Sequence, residues 1–321
     1  MIWRHRLGKL FGWLCRWTTI LSLVVLAVLL FTIVRQAWGW LDWGFLTHSN
    51  SYKAQNAGIM PALWGSLWAV GLTALMAVPL GVGAAVYLEE YSKPTRLTKF
   101  IQLNISNLAG VPSIVYGILG FTVFIRMFGL RDRPEKFVAS LGFADITFEL
   151  PLGRVVLSGA CTLTLLSLPV VIIAAQEALR SVPQSIRHAA LALGATKWQT
   201  IRHQVLPAAL PGILTGVILS MSRAIGETAP LAVLGVASQL SFAPGRITGP
   251  VDAIQHPVKM LQAPFDQFTV IPLQIYSWIS DPKPAFEHVA AAGIVVLLVV
   301  LLTLNGTAIF IRQRFQKKIR W

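Results

Sequence analysis

Apolar positions run along this chain in six long blocks, and polar positions gather in the gaps. The blocks cover residues 18–38, 65–87, 103–125, 155–175, 208–237 and 289–311. Each approaches or exceeds the roughly 20 residues a helix needs to cross a hydrocarbon core. The pattern predicts an all-α integral membrane protein with six transmembrane helices. The first block is too long for a signal-peptide core and no small-residue cleavage site follows it, so it reads as an uncleaved span. Trp3, Trp13 and Trp17 alternate with basic residues at its start, as in an interfacial anchor. Pro79, Pro112, Pro169 and Pro211 lie within or at the start of blocks, where they kink membrane helices. A shorter block, 268–279, sits in the proline-rich loop 238–287. It is too short to span and reads as an interfacial or lid-like helix.

The gap at 177–211 has its own order. Ser181 with Gln184, and Pro183 between them, read as the start of one helix. Gly194 reads as its left-handed stop. Thr196 with Gln199 opens a second helix, which Leu206-Pro207 closes. A simple connection takes about 4–6 residues. Two capped helices around one glycine point instead to an element that docks into something.

Composition agrees with the pattern. Of 321 residues 55% are hydrophobic and 12% charged, against about 25% charged in soluble domains. A net charge of +14 would suit a nucleic-acid binder. Its placement argues against that, because the basic residues sit at the ends of apolar blocks. They concentrate on alternate sides: the N-terminus; Lys93, Arg96 and Lys99; Arg180, Arg187, Lys197 and Arg202; and the C-terminal tail. The positive-inside rule then places both termini and the 177–211 stretch in the cytoplasm. Cys15 and Cys161 form neither a metal site nor a disulfide framework.

No P-loop, zinc-protease, nucleophile-elbow or Cys-x-x-Cys pattern occurs, and the six histidines have no ligand spacing. No catalytic residue, metal or cofactor is expected. Arg223 and Glu227 stand out, because Glu227 is the one glutamate well inside a block and Arg223 lies four residues before it. That spacing puts both on one helix face. A charge at mid-membrane costs about 2.5–3.5 kcal/mol, so neither side chain faces lipid. Two roles stay open: an ion pair fixing helix packing, or a site on a solute path. Thr228-Ala229-Pro230 follows, where the helix should bend or unwind. Arg35 and Arg126, near span ends, read as snorkelling. One pair is a thin proton relay for a carrier. With no ATP site in the chain, energy would come from a partner bound at 177–211.

Three segments add a resemblance. His188-Ala189-Ala190, Gly194 after three residues, and Leu206-Pro207 resemble the EAA loop of ABC importer permeases. His188 stands where that pattern has Glu, and Gln204 where it has Ile. The run Arg223-Ala-Ile-Gly-Glu-Thr-Ala-Pro-Leu231 is similar to the matching segment of phosphate importer permeases, as are 110–117 and 268–276. The resemblance implies a type I importer permease fold: residues 1–60 an anchor span and first outer loop, 61–311 the permease core, and 312–321 a basic tail. It implies ATPase docking through His188, Ala189, Ala190, Gly194, Ala195, Trp198, Leu206 and Pro207, and a substrate path past Arg223, Glu227 and Thr228. The implied partners are a second permease subunit, a dimer of ATP-binding subunits, a periplasmic phosphate-binding protein and membrane lipid. A sulfate or molybdate permease, and a stand-alone channel or membrane scaffold, are the competing readings.

Overall fold

The structure, a computed structural model, describes residues 2–127, 137–140, 145–148, 152–247, 252 and 257–316. Arg131, Arg133, Lys136, His256 and the tail beyond residue 316 lie outside them. Among the described residues five helices are long and apolar enough to cross a membrane, and a bent pair makes a sixth if it is one span. Helix α1 (Ile2–Ala37) is followed by the short α2 (Trp43–Thr47). Helix α3 (Met60–Val86) continues into a π turn at Tyr87–Tyr91.

The third apolar block is not one straight helix. It forms α4 (Arg96–Ala109) and α5 (Ser113–Gly120, extended by a π turn to Met127), bent by 103°. Gly110-Val-Pro112 makes the break: proline has no N–H to give a continuing helix, and Pro112 takes an extended ψ of 136°. The Tyr116 hydroxyl donates to the Leu108 carbonyl across the corner at 2.8 Å. The loop that follows holds a hairpin the apolar pattern did not announce, β1 (Phe137–Ser140) antiparallel to β2 (Asp145–Phe148).

Helix α6 (Val156–Arg180) is central, packing on α3, on α5 and on the later α9 (Leu206–Gly226). It runs through Glu177, which overturns the expected cap at Ser181. The Ser181 hydroxyl donates backward to the Ala178 carbonyl at 2.8 Å, so it terminates α6 instead of starting a new helix. The next helix, α7 (Gln184–Ala192), begins after Pro183 without a side-chain cap. Gly194 then turns the chain at φ +83°, as expected of a left-handed stop. Thr196 and Gln199 form the expected capping box at the start of α8 (Lys197–Thr200).

Leu206-Pro207 does not close that second helix. Residues Ile201–Val205 form a π turn, in which the Leu206 N–H reaches the Ile201 carbonyl, and α9 follows directly. The π turn takes up the register that the missing Pro207 N–H would otherwise break. Lys197–Gly226 is therefore one span of 30 residues.

After α10 (Ala229–Leu234) and α11 (Pro257–Gln262) comes α12 (Ile271–Ile279), then α13 (Ala285–Gln316). Helix α12 is not a surface lid. Phe268, Ile271, Leu273, Ile275 and Trp278 are buried, and the helix packs on α3 and α13. A short helix apolar on nearly every side is a core element. Three clusters of buried side chains fill the bundle: around Trp278 and Phe286, around Leu163, Leu231 and Phe268, and around Leu179, Val205 and Ile213. Helix α1 lies along α13 with its apolar surface exposed, suited to lipid.

Candidate functional site

Two regions hold the residues singled out by the sequence, and one helix joins them. The first is the α7–α8 turn. His188, Ala189, Gly194 and Trp198 are exposed there, with Ala190 and Ala195 half-buried. Leu193, at the end of α7, is 90% exposed and Trp198 is 55% exposed. Two large apolar side chains flank the one residue with positive φ in this element. Leu206 and Pro207 do not join this surface. They lie half-buried at the start of α9, Leu206 against the Leu179–Val205 cluster.

A set of charges behind this turn escaped sequence reasoning. Glu90 receives the Arg187 guanidinium at 2.8 Å, with only 9% and 13% of the side chains exposed. Arg187 also donates to the Leu179 and Val182 carbonyls at 3.0 and 2.7 Å. It thus adds a charged donor to carbonyls at and just beyond the end of α6. Glu89 receives Arg180 at 2.6 Å, and the Lys197 ammonium lies 5.1 Å from the centre of the Tyr91 ring. The available signal was two adjacent acids ending a block on a side otherwise rich in Lys and Arg.

The second region is the far end of α9. The helix stops at Gly226, Glu227 is extended at φ −77° and ψ 115°, and α10 starts after Thr228 with Pro230 in its first turn. The chain unwinds where Thr228-Ala229-Pro230 led us to expect it. Arg223 Nε and Glu227 Oε1 are 3.0 Å apart, with 53% and 16% of the side chains exposed. The ion pair, one of the two roles the spacing left open, is present, and it engages the Arg223 guanidinium through Nε. Helix α10 sits against α5, and a Cβ on Gly117 would stand 2.7 Å from Pro230 Cα. The fold thus brings the 110–117 and 223–231 segments, far apart in sequence, into contact.

A cavity of about 270 Å³ lies between α3, α9 and α13. Gly71, Met221, Ile225, Val300 and Leu304 line it, and Ser222 meets Asn305 in its wall. Its lining is too apolar to hold a bare anion. Among the described residues no cluster of His, Cys, Asp or Glu is arranged for a metal.

Known proteins place this architecture. The family model described as "Binding-protein-dependent transport system inner membrane component" matches residues 77–321. The phosphate transport system permease protein PstA 1 of Mycobacterium tuberculosis is 34% identical over 300 residues, covering 91% of this chain and 84% of that protein. The PstA protein of Haemophilus influenzae is 30% identical over 316 residues, covering 98% and 96%. Among solved structures, a bacterial ABC transporter importing alginate aligns with a TM-score of 0.58 at 17% identity, over 94% of this chain and 96% of that one. The inward-facing MetNI methionine transporter aligns with a TM-score of 0.52 at 14% identity, over 79% and 94%. These two speak for the fold alone. With its helical bundle, its exposed two-helix turn and a match across three quarters of its length, the chain belongs to the family of binding-protein-dependent transport system inner membrane components.

Proposed function

We propose that the chain is the transmembrane permease subunit of an ATP-driven phosphate importer. One observation carries the reading: a single helical span has the exposed α7–α8 turn at one end and the Arg223–Glu227 pair beside an unwound segment at the other. One end suits an ATPase groove and the other an anion path. The phosphate permease names of the relatives support the substrate. The basic loops support a cytoplasmic position for both termini and for α7–α8. In this reading the chain forms half of the path with a second permease subunit, receives solute from a periplasmic binding protein, and hydrolyses no ATP itself.

The test is reconstitution in vesicles with the partner permease, the ATPase and the binding protein. ATP-dependent phosphate uptake that excess sulfate and molybdate fail to compete is the expected result. Uptake of sulfate or molybdate in its place would reassign the substrate, and solute flux without any ATPase would indicate a channel.

Arg223→Gln tests the path. A hydrogen bond to a charged group is worth about 1.5–3 kcal/mol, so phosphate uptake should fall roughly ten- to hundredfold. An exposed ion pair contributes about 0–1 kcal/mol, so the amount of membrane-inserted protein should hardly change. Normal uptake in the variant would reduce Arg223 to a packing role.

A further inference from the structure

We propose that Glu90 is a positioning residue that ties the α7–α8 turn to the second membrane helix, so that docking strain reaches α3 directly and not only through α9. This inference rests on the reading of α7–α8 as the ATPase-docking element. Its geometry stands independently of that reading.

The Tyr87–Tyr91 turn is a π turn at the end of α3, with the Ser92 N–H closing on the Tyr87 carbonyl at 2.9 Å. Such turns are rare and are frequent at functional sites. Four successive residues of this turn take four different roles. Leu88 is buried in the cluster that holds Leu179, Val182 and Val205. Glu89 takes Arg180 at the end of α6. Glu90 takes Arg187 from the middle of α7. Tyr91 receives Lys197, the first residue of α8. Three consecutive elements, α6, α7 and α8, are thereby each held by one side chain of one turn.

The Glu90–Arg187 link differs from its neighbours. The Arg180 side chain is 49% exposed, and water screens such a pair. Glu90 and Arg187 are largely buried, and Arg187 also spans the α6 terminus through two carbonyls. Removing one partner of a buried, hydrogen-bonded pair leaves the other charge uncompensated, so the arrangement has no easy intermediate. Helix α7 has no buried residue of its own and no side-chain cap at its start. Beyond its packing on the Ile201–Val205 turn, its attachment to the bundle runs through Arg187 and the half-buried Ile186.

Two measurements test this, with Glu90→Gln, Glu90→Asp and the exchanged pair Glu90→Arg with Arg187→Glu. The first follows hydrogen exchange of the α7 amides in the intact chain in lipid discs. Glu90→Gln should speed α7 exchange about tenfold while leaving α6 protected, because local opening follows the contacts that hold an element. Glu90→Asp and the exchanged pair should regain part of the protection. Unchanged exchange in Glu90→Gln overturns the proposal. The second measures phosphate delivered per ATP hydrolysed in the reconstituted importer. Glu90→Gln should lower that ratio roughly tenfold, inside the range of about 5- to 150-fold typical of coupling between sites. Uptake and hydrolysis falling by one common factor would make Glu90 a mere brace and overturns its coupling role. If α7 loosens as expected but the wild-type importer moves no phosphate, the functional reading falls and the tether remains.

Discussion

Leu193→Asp combined with Trp198→Asp should abolish ATP-driven uptake while the chain stays folded in the membrane. Both side chains are large, apolar and exposed on the turn around Gly194. Burying each in a partner groove is worth about 1.5–3 kcal/mol, so losing both removes about 3–6 kcal/mol of association. That weakens ATPase binding by roughly two to four orders of magnitude. Charging them adds a desolvation cost on the same surface. Neither packs inside the bundle, and surface changes of this kind stay within about 0.5 kcal/mol of wild-type stability. Co-purification of the ATPase with the variant, against the amount of inserted chain, is the direct measure. Wild-type recovery of the ATPase would refute the docking assignment.

Gly65→Val should instead prevent the bundle from forming. A Cβ at Gly65 would lie 2.0 Å from the Thr269 carbonyl oxygen. The Gly65 Cα that would carry it and the Thr269 carbonyl both belong to constrained backbone. Gly65 is inside α3, and Thr269 is fully buried just before α12. The next residues fix the same approach, since the Ile271 N–H donates to the Ser66 hydroxyl at 2.9 Å. Overpacking costs about 1–3 kcal/mol where side chains can give way. Here backbone must separate from backbone, which would also open the Trp278 cluster, so the loss should reach or exceed about 3 kcal/mol. Gly71→Ala in the same helix meets nothing within 4 Å and serves as the control. Gel filtration of detergent-extracted protein should show aggregate for Gly65→Val and a single sharp peak for Gly71→Ala. A sharp peak for both would mean that α12 is not seated on α3 as described.

Local signals were legible wherever local chemistry decided the outcome. Gly194 turns left-handed and Thr196 caps with Gln199 because both effects act within a few residues. The break after Gly226 follows from Pro230 and needs no distant partner. Sequence reading erred where packing overrode a local rule. Ser181 has the chemistry of a cap, yet α6 continues past Glu177 because Ala178, Leu179 and Val182 belong in a buried cluster. Pro207 resembles a stop, yet a π turn absorbs it. The 268–279 block looked like a lid because it is short, and only its tertiary neighbours show it to be core. The Glu89 and Glu90 pairs join residues more than ninety positions apart, a separation at which pattern and spacing carry no information.

The unbroken course of Lys197–Gly226 has a mechanical consequence. A helix of 30 residues is about 45 Å long at 1.5 Å per residue. It begins at the exposed Lys197 beside the Gly194 turn and carries Arg223 in its last turn. A tilt of about 5° about its α8 end would carry the far end by about 4 Å. Arg223 and Glu227 sit on adjacent turns at that far end, so such a tilt would carry the ion pair as a unit, and the unwound Glu227–Thr228 link to α10 would take up the displacement.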